Sequence, residues 1–294
     1  MRANLPPSSA LRSRALFVVA AVLFAAACHA GWNAAIKIGS DTVSATVLIA
    51  VGAGLIGIAV LPFVGLPLAA AWPWIAASVL VHLFYFIGLS EAYRVGDLGR
   101  VYPLARGSAP LMTAALSVPL VGEALGPAGW AGILALASGI FLIAAPATRT
   151  QARLDAHATG FALFTAITIC AYSLVDGIGA RLAGSAKAYA ACLFIANGIV
   201  LAAYAAIRLR GKALAAMAPY WASGLAGGAL QFISYAIVIW AMTVAPIALV
   251  AALRETSVLF GAALAVVLLK EPLRPTRIAA AVIIVSGLLL IRLR

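Results

Sequence analysis

The sequence predicts an all-α polytopic membrane protein with ten transmembrane helices, arranged as two inverted five-helix repeats. Three observations support this fold class. Of the 294 residues, 65% are hydrophobic and only 10% are charged. Apolar stretches long enough to cross a bilayer recur along the chain, and the second half of the sequence repeats the pattern of the first. Such a composition excludes an ordinary water-soluble globular protein.

Ten apolar stretches approach the roughly 20 residues that a helix needs to cross the hydrocarbon core. They are 15–36, 43–64, 72–93, 98–121, 127–145, 158–180, 188–207, 219–242, 246–269 and 276–292. Backbone polar groups in lipid must be satisfied within the segment, and apolar stretches of this length favour helices over the shorter, alternating strands of a barrel. The first stretch has features of a secretory signal. Because its polar residues recur later in the chain, we expect it to be retained as the first helix.

The net charge of +12 comes from Lys and Arg residues that are scattered over short loops and termini. This distribution is typical of the flanks of membrane spans and not of a nucleic-acid-binding face. The expected partners are therefore the lipid bilayer and a small-molecule substrate, with no nucleic acid, and a monomer and a homodimer are both compatible with the sequence. Cys28, Cys170 and Cys192 lie inside apolar stretches at no metal or redox spacing, so we expect neither a metal nor a cofactor.

An internal repeat is the strongest organisational signal. Residues 104–143 align without a gap on residues 252–291 at a shift of 148, which places Arg106 on Arg254 and Glu123 on Glu271. For the preceding stretch, a shift of 149 superposes the third span on the eighth.

The repeat divides the chain into a first half (1–146), a linker (147–157) and a second half (158–294). Since each half holds five spans, an odd number, the two halves enter the membrane from opposite sides and form an inverted repeat. Inverted repeats are typical of transporters that work by alternating access, with substrate bound near the midplane between the halves.

Each half closes with a helix, a short turn and a final helix that contains a Ser-Gly pair. The turns are 122-GEAL-125 and 270-KEPL-273, and the Ser-Gly pairs are 138–139 and 286–287. This pattern resembles the drug/metabolite transporter superfamily, specifically its EamA-type ten-helix members, over essentially the whole chain. The resemblance implies a secondary transporter of the cell inner membrane, with one EamA-like repeat in each half. Substrate and direction of transport vary within that group and are left open.

Two arginines lie deep in apolar spans, Arg106 in the fourth and Arg254 in the ninth. An ionisable side chain at the bilayer centre costs at least ~2.5–3.5 kcal/mol, so each one suggests a function. Equivalent positions in oppositely oriented helices are suited to clamping an anionic group, which a guanidinium matches with its fork of donors. Pairing of Arg254 with a buried acid is the structural alternative. Adjacent helical residues point about 100° apart, so Glu255 is expected to face another helix, as a gate or as a proton carrier.

A polar stripe runs along the first span, where His29, Asn33 and Lys37 recur every four residues. A shift of 143 places His29 on Tyr172 and Asn33 on Asp176. Such stripes line a cavity or a helix-packing seam, because they cannot face lipid. We predict that His29, Asn33 and Asp176 bind substrate. Asp176 is a second candidate for carrying a coupled proton, and a purely structural role remains open for it.

The same pattern extends to the third and eighth spans. His82 and Tyr85 lie in the third span, and Gln231, Ser234 and Tyr235 lie in the eighth. We predict that His82, Gln231 and Tyr235 contribute to the substrate site, while interhelical hydrogen bonding explains His82 and Gln231 equally well. In the same eighth span, the small-xxx-small spacing of its glycines predicts close helix packing.

Residues 91–110 are rich in glycine and proline, and this predicts an interrupted helix that lines the cavity. Tyr102 stands four residues before Arg106 on the same face and is predicted to contact substrate. The second half offers only Pro246 in the matching helix, so the symmetry is incomplete and we expect the first half to make more of the substrate contact.

The favoured function is a secondary transporter of a small anionic or zwitterionic metabolite, driven by a proton gradient or by the gradient of the substrate itself. No phosphate-binding loop is present, which argues against an ATP-driven pump. A multidrug or cation exporter of the same fold is the alternative. An intramembrane lipid-modifying enzyme is disfavoured, because the chain contains no GxSxG, HExxH or paired-Asp motif. Counting Lys and Arg places the termini outside, whereas the resemblance places them in the cytoplasm; we expect cytoplasmic termini.

Overall fold

The computed structural model describes residues 9–36, 42–95, 98–143, 156–209, 217–270 and 275–292. Within these ranges the chain is helical throughout, apart from short connections, and contains no strand. The α-helices are α1 (Ser9–Ile36), α2 (Thr42–Val64), α3 (Trp72–Val95), α4 (Leu98–Val121), α5 (Pro127–Ile143), α6 (Ala156–Leu182), α7 (Ala186–Leu209), α8 (Trp221–Val244), α9 (Ile247–Arg254), α10 (Ser257–Leu269) and α11 (Pro275–Arg292). One turn of 3₁₀ helix leads into α3 and another into α8.

The lengths of these helices agree with a multi-pass membrane protein. Eight described segments are long and apolar enough to cross a membrane, and α9 with α10 counts as one of them. The fifth and tenth expected spans are the shorter apolar helices α5 and α11, of 17 and 18 residues. The predicted all-α class is therefore confirmed.

Small residues let the helices approach closely. α2 packs against α7 and α8, α3 against α6, α1 against α8, and α5 against α11. A β-carbon on Gly228 of α8 would lie 2.5 Å from the backbone nitrogen of Ala53 on α2, and one on Gly224 would lie 2.8 Å from Leu48 Cβ. The close packing predicted from the glycine spacing of the eighth span is thus present, against α2.

Left-handed residues follow several of the described helices, among them α4 and α10. Gly122 follows α4 with φ 72°, and its amide donates to the Val118 carbonyl (3.1 Å). Lys270 follows α10 with φ 53°, a conformation that a residue with a β-carbon adopts at a cost.

The interruption predicted for residues 91–110 is absent from α4. α4 runs without interruption through Pro103, Gly107 and Pro110, so the residues that favour a break do not produce one here. The ninth span breaks instead, at Glu255 and Thr256, which separate α9 from α10.

Hydrogen bonding explains this break. The amides of Glu255 and Thr256 donate to the carbonyls of Ala252 and Leu253 (3.1 Å each), three residues back instead of four. The Thr256 hydroxyl also donates to the Leu253 carbonyl (2.7 Å). A threonine hydroxyl that competes for a backbone carbonyl is a known source of local distortion in helices, and a short 3₁₀ stretch within a span is typical of a hinge.

Candidate functional site: a buried cluster of arginines and carboxylates

The break in the ninth span places two opposite charges at helix ends that favour them. Arg254 is the last residue of α9, where the helix dipole is negative, and Glu255 precedes the first turn of α10, where the dipole is positive. Both side chains are almost completely buried. The break therefore places Arg254 at the end of one helix and Glu255 between two helices, as the C-cap of α9 and just before α10.

Glu255 faces α4, where it meets Arg106. Arg106 Nε lies 2.6 Å from Glu255 Oε2, and both side chains are 1% exposed. The Arg106 Nη2 group donates to the Ser257 hydroxyl (3.0 Å) and lies 3.2 Å from His29 Nε2. Arginine has no acceptor atom, so His29 accepts this hydrogen bond. Arg106 thus joins α4 to α1 and to both sides of the break.

Arg254 reaches the other oxygen of the same carboxylate. Its Nη2 group lies 3.4 Å from Glu255 Oε1, a longer and weaker contact than that of Arg106. Its guanidinium lies over two aromatic rings, 5.2 Å from the centroid of Tyr172 and 5.7 Å from that of Tyr235. These distances permit cation–π attraction. The carboxylate of Glu255 therefore contacts both of the predicted arginines, one with each oxygen.

Asp176 is the second buried carboxylate and is completely shielded from solvent. Its two oxygens accept hydrogen bonds from two tyrosines: Tyr189 donates to Oδ1 (2.9 Å) and Tyr235 donates to Oδ2 (2.5 Å). Because Tyr235 also lies beside Arg254, the two carboxylates belong to one continuous cluster. That cluster holds two arginines and two acidic side chains.

Aromatic rings close the cluster on the side of α3. His82 stacks on Tyr172 with ring centroids 4.4 Å apart, and it meets Tyr235 edge-on at 6.0 Å. Tyr85 meets Tyr172 edge-on at 5.8 Å. His82 Nδ1 lies 3.1 Å from the Ser78 hydroxyl and 2.9 Å from the Ser78 carbonyl, so its ring is held by its own helix.

The structure brings most of the predicted site residues together. The cluster contains six of them: His29, His82, Arg106, Asp176, Tyr235 and Arg254. It also contains Glu255, the predicted gate or proton carrier.

Three further predicted positions are not placed in the cluster. The amide of Asn33 donates to the His29 carbonyl of its own helix (2.8 Å). Gln231 lies on α8 with its Oε1 atom buried and without a hydrogen-bond partner among the described residues. The side chain of Tyr102, like Lys37 of the polar stripe, lies outside the described part of the structure.

Sequence reasoning missed three members of the site. Ser257 and Tyr189 carry no signal of their own, since a serine and a tyrosine inside apolar helices are ordinary. Tyr172 was found as the repeat counterpart of His29 but was not predicted to belong to the site. Its aromatic neighbours Tyr85 and Tyr235 at similar depth were the available signal.

A second ionic cluster lies where three helices end. Glu123, just after α4, accepts from Arg181 Nη2 at the end of α6 (2.7 Å) and from the amide of Ile247 at the start of α9 (2.7 Å). Arg181 also donates to the carbonyls of Met242 in the last turn of α8 (2.9 Å) and of Ala245 just after that helix (3.1 Å). Glu123 therefore caps α9 at the end opposite Arg254.

Other features of the described residues do not compete with this site. They contain no group of three or more His, Cys, Asp or Glu side chains placed to hold a metal ion. An open groove of about 540 Å³ lies between α3 and α6. It is lined by Ile87, Gly88, Ala156, His157, Gly160, Phe161 and Phe164, and it is almost entirely apolar.

Comparison with known proteins shows the fold alone. No family model matches the sequence, and no curated protein matches it. Among solved structures, 28 chains match. One of them, a crystal structure described only as that of a protein, covers 95% of this chain and 96% of its own, with a TM-score of 0.70 and 19% identity. The helical architecture is therefore similar to one seen experimentally.

Proposed function

We propose that this protein is a secondary transporter that moves a small anionic or zwitterionic metabolite by alternating access. The observation that carries the proposal is the convergence of Arg106 and Arg254 on the single carboxylate of Glu255. Two guanidiniums around one carboxylate form an arrangement that suits a small anionic group. Because the cluster is buried among helices able to cross a membrane, a ligand there would be held within the bilayer.

The contacts of the two arginines support an inverted repeat. Arg106 contacts His29, and Arg254 contacts Tyr172. The sequence alignment relates Arg106 to Arg254 and His29 to Tyr172, so the same contact occurs once in each half. A two-fold relation between the halves would produce this equivalence.

Helix packing supports the same relation. A β-carbon on Gly139 of α5 would lie 3.0 Å from the Ala280 carbonyl oxygen of α11, and one on Gly287 would lie 2.7 Å from the Gly132 carbonyl oxygen. The repeat alignment at a shift of 148 relates Gly132 to Ala280 and Gly139 to Gly287. The two contacts are therefore equivalent, one seen from each half.

The left-handed helix ends are equivalent as well, because the same shift relates Gly122 to Lys270. These equivalences favour ten spans in two five-helix repeats, 1–146 and 158–294. They agree with an EamA-type member of the drug/metabolite transporter superfamily in the cell inner membrane.

Alternating access requires ends that open in turn. The cluster of Glu123 and Arg181 ties α4, α6, α8 and α9 together, and it is a suitable closure for one end. Proton coupling would use a carboxylate inside the bilayer, and Asp176 and Glu255 are the two that the cluster provides.

A cation or multidrug exporter is the second candidate, favoured by the aromatic surroundings of Asp176. The rings of His82, Tyr172 and Tyr235 could receive a cation. The guanidinium of Arg254 already faces both tyrosine rings, however, and a substrate cation would have to displace it. This favours the anionic or zwitterionic substrate.

A ligand screen tests the proposal. The purified protein would be tested by thermal shift against amino acids, organic acids, phosphonates and cationic dyes, and ligands that stabilise it would then be assayed for transport in proteoliposomes. Arg106→Ala and Arg254→Ala should each abolish binding and transport of the ligand. Lys187→Ala removes one exposed positive charge and serves as the matched control. Stabilisation by cationic dyes alone, retained in both arginine variants, would instead favour the exporter.

A further inference from the structure

We propose that the carboxylate of Glu255 is a tethered counter-ion that occupies the place of the substrate's anionic group, and that the substrate is a zwitterion whose cationic group pairs with Glu255 after displacing it. This inference rests on the proposed transport function. Glu255 then pairs with the arginines when the site is empty, and with the positive charge of the substrate when the substrate is bound.

The contacts of Glu255 are those that a small bound anion would make. One oxygen lies 2.6 Å from Arg106 Nε and the other lies 3.4 Å from Arg254 Nη2. Glu255 also precedes the first turn of α10, whose dipole favours negative charge at that end. Half-helix N-termini inside a bilayer bind anionic substrate groups in other transporters.

The alignment marks Glu255 as an addition to the two-fold pattern. Its counterpart in the first half is Gly107, which has no side chain, whereas the two arginines are equivalent. The symmetric part of the site is therefore a pair of cations, and the anion between them is supplied by one half only. In this respect Glu255 resembles a ligand more than a part of the scaffold.

The backbone around Glu255 is suited to moving the carboxylate. Its amide bonds to the Ala252 carbonyl and its carbonyl accepts from Val258, both in the 3₁₀ pattern (3.1 Å each). A short 3₁₀ stretch between two helical segments is typical of a hinge. A small change in backbone dihedrals there would withdraw the carboxylate without unwinding α9 or α10.

Charge balance selects the class of substrate. The cluster holds Arg106 and Arg254 against Asp176 and Glu255, two charges of each sign. An anion that displaced Glu255 would leave that carboxylate unpaired in the bilayer, which is costly. A zwitterion avoids this cost, because its anionic group takes the position between the guanidiniums while its cationic group pairs with the displaced carboxylate.

Three small probes of matched size test this inference. Alanine carries both charges, propionate lacks the amine and ethylamine lacks the carboxylate. Apparent dissociation constants would be measured by thermal shift on the wild-type protein and on Glu255→Gln, which keeps the shape of the side chain and removes its charge.

We expect wild-type protein to bind alanine at least about tenfold more tightly than propionate, with ethylamine weakest. Glu255→Gln should bind propionate at least about tenfold more tightly than wild type, since a tethered group competes as if present at millimolar concentration or above. Alanine should lose its advantage over propionate in this variant. Lys187→Ala, which removes an exposed positive charge outside the cluster, should retain the wild-type preference.

The inference is overturned if Glu255→Gln leaves the ratio of propionate to alanine affinity within about threefold of wild type, or if it fails to bind propionate. Either result would leave the transport function standing, because that function depends on loss of substrate binding in the two arginine variants. If Glu255→Gln does not fold, Glu255→Asp replaces it. The shorter side chain cannot span both guanidiniums, so propionate should again bind more tightly than to wild type, and equal or weaker binding contradicts the inference.

Discussion

Arg106 on α4 and Glu255 between α9 and α10 form a buried ion pair with 2.6 Å between Nε and Oε2. The two residues are separated by more than half of the sequence, so this pair ties the first half of the chain to the second. In a site of low dielectric, the attraction between the two charges is offset by the cost of removing both from water. The pair therefore adds little net stability, but loss of one partner should strongly destabilise the protein.

A double-mutant cycle measures this interdependence. Arg106→Ala and Glu255→Ala should each lower the free energy of unfolding by about 3–5 kcal/mol, because each removes the nearest opposite charge from a buried charged side chain. The double variant should cost clearly less than the sum of the two. Unfolding by denaturant in mixed micelles provides the measurement, and additive effects would show that the two side chains do not stabilise each other.

Glu123 should control access from one end of the protein. Glu123→Gln removes the charge that holds Arg181, so the closure between α4, α6, α8 and α9 should loosen. Cys170 is a native reporter, since it is 2% exposed and packs in the same apolar cluster as Ile247 and Val250 of α9. In a Cys28→Ala, Cys192→Ala background, its labelling by N-ethylmaleimide should accelerate several-fold. Lys187→Ala is the control, and unchanged labelling of Cys170 would argue against a closure at this end.

The equivalent left-handed positions should respond oppositely to substitution. Gly122→Ala forces a β-carbon into a conformation with φ 72° and should lower the free energy of unfolding by about 1 kcal/mol. Lys270→Gly relieves the corresponding strain at φ 53° and should not lower it. Thermal unfolding of both variants tests this pair. Destabilisation by Lys270→Gly would mean that the lysine side chain contributes more than its backbone conformation costs.

Close packing of α8 on α2 should make Gly228 intolerant of any side chain. The added methyl group of Gly228→Ala would meet the backbone of Ala53, so we expect a loss of about 1–3 kcal/mol in the free energy of unfolding. Gly160 on α6 has no atom within 4 Å of a β-carbon position. Gly160→Ala should therefore stabilise the protein by about 0.5–1 kcal/mol through helix propensity alone. Equal effects of the two variants would contradict the packing of these helices.

Composition and repeat were enough to predict the all-α class and the burial of the two arginines. Hydrophobic length reports whether a segment can cross lipid, and the equivalence of Arg106 and Arg254 follows from a gapless alignment. The location of the helix break could not be predicted in the same way, because glycine and proline only raise the local probability of a break. In the sequence, Thr256 resembles an ordinary helical residue. Its role in the break is visible only in the structure, where its amide and its hydroxyl both donate to the carbonyl of Leu253.

The partners inside the site were harder to predict than its members. The sequence identified Asp176 as a buried acid, yet its hydrogen bonds come from Tyr189 on α7 and Tyr235 on α8, two helices that approach α6 only in the folded protein. Ser257 was missed for the same reason, since its contact with Arg106 spans 151 residues of sequence. Spacing along one helix predicts which residues share a face, but not which helix will meet that face.

Each end of the short helix α9 contacts a different ionic cluster. At its start, Glu123 accepts from the amide of Ile247, and at its end, Glu255 follows Arg254. Eight residues of helix extend only about 12 Å and have no room to bend. A displacement of one end of α9 should therefore move the other end by a similar distance. On the proposed function, thermodynamic linkage makes any such coupling reciprocal: a change at Glu123 that alters the affinity of the arginines for an anion requires anion binding to alter the hold of Glu123 by the same factor. On the proposed function, α9 would couple closure at the Glu123 end to substrate binding at the arginines.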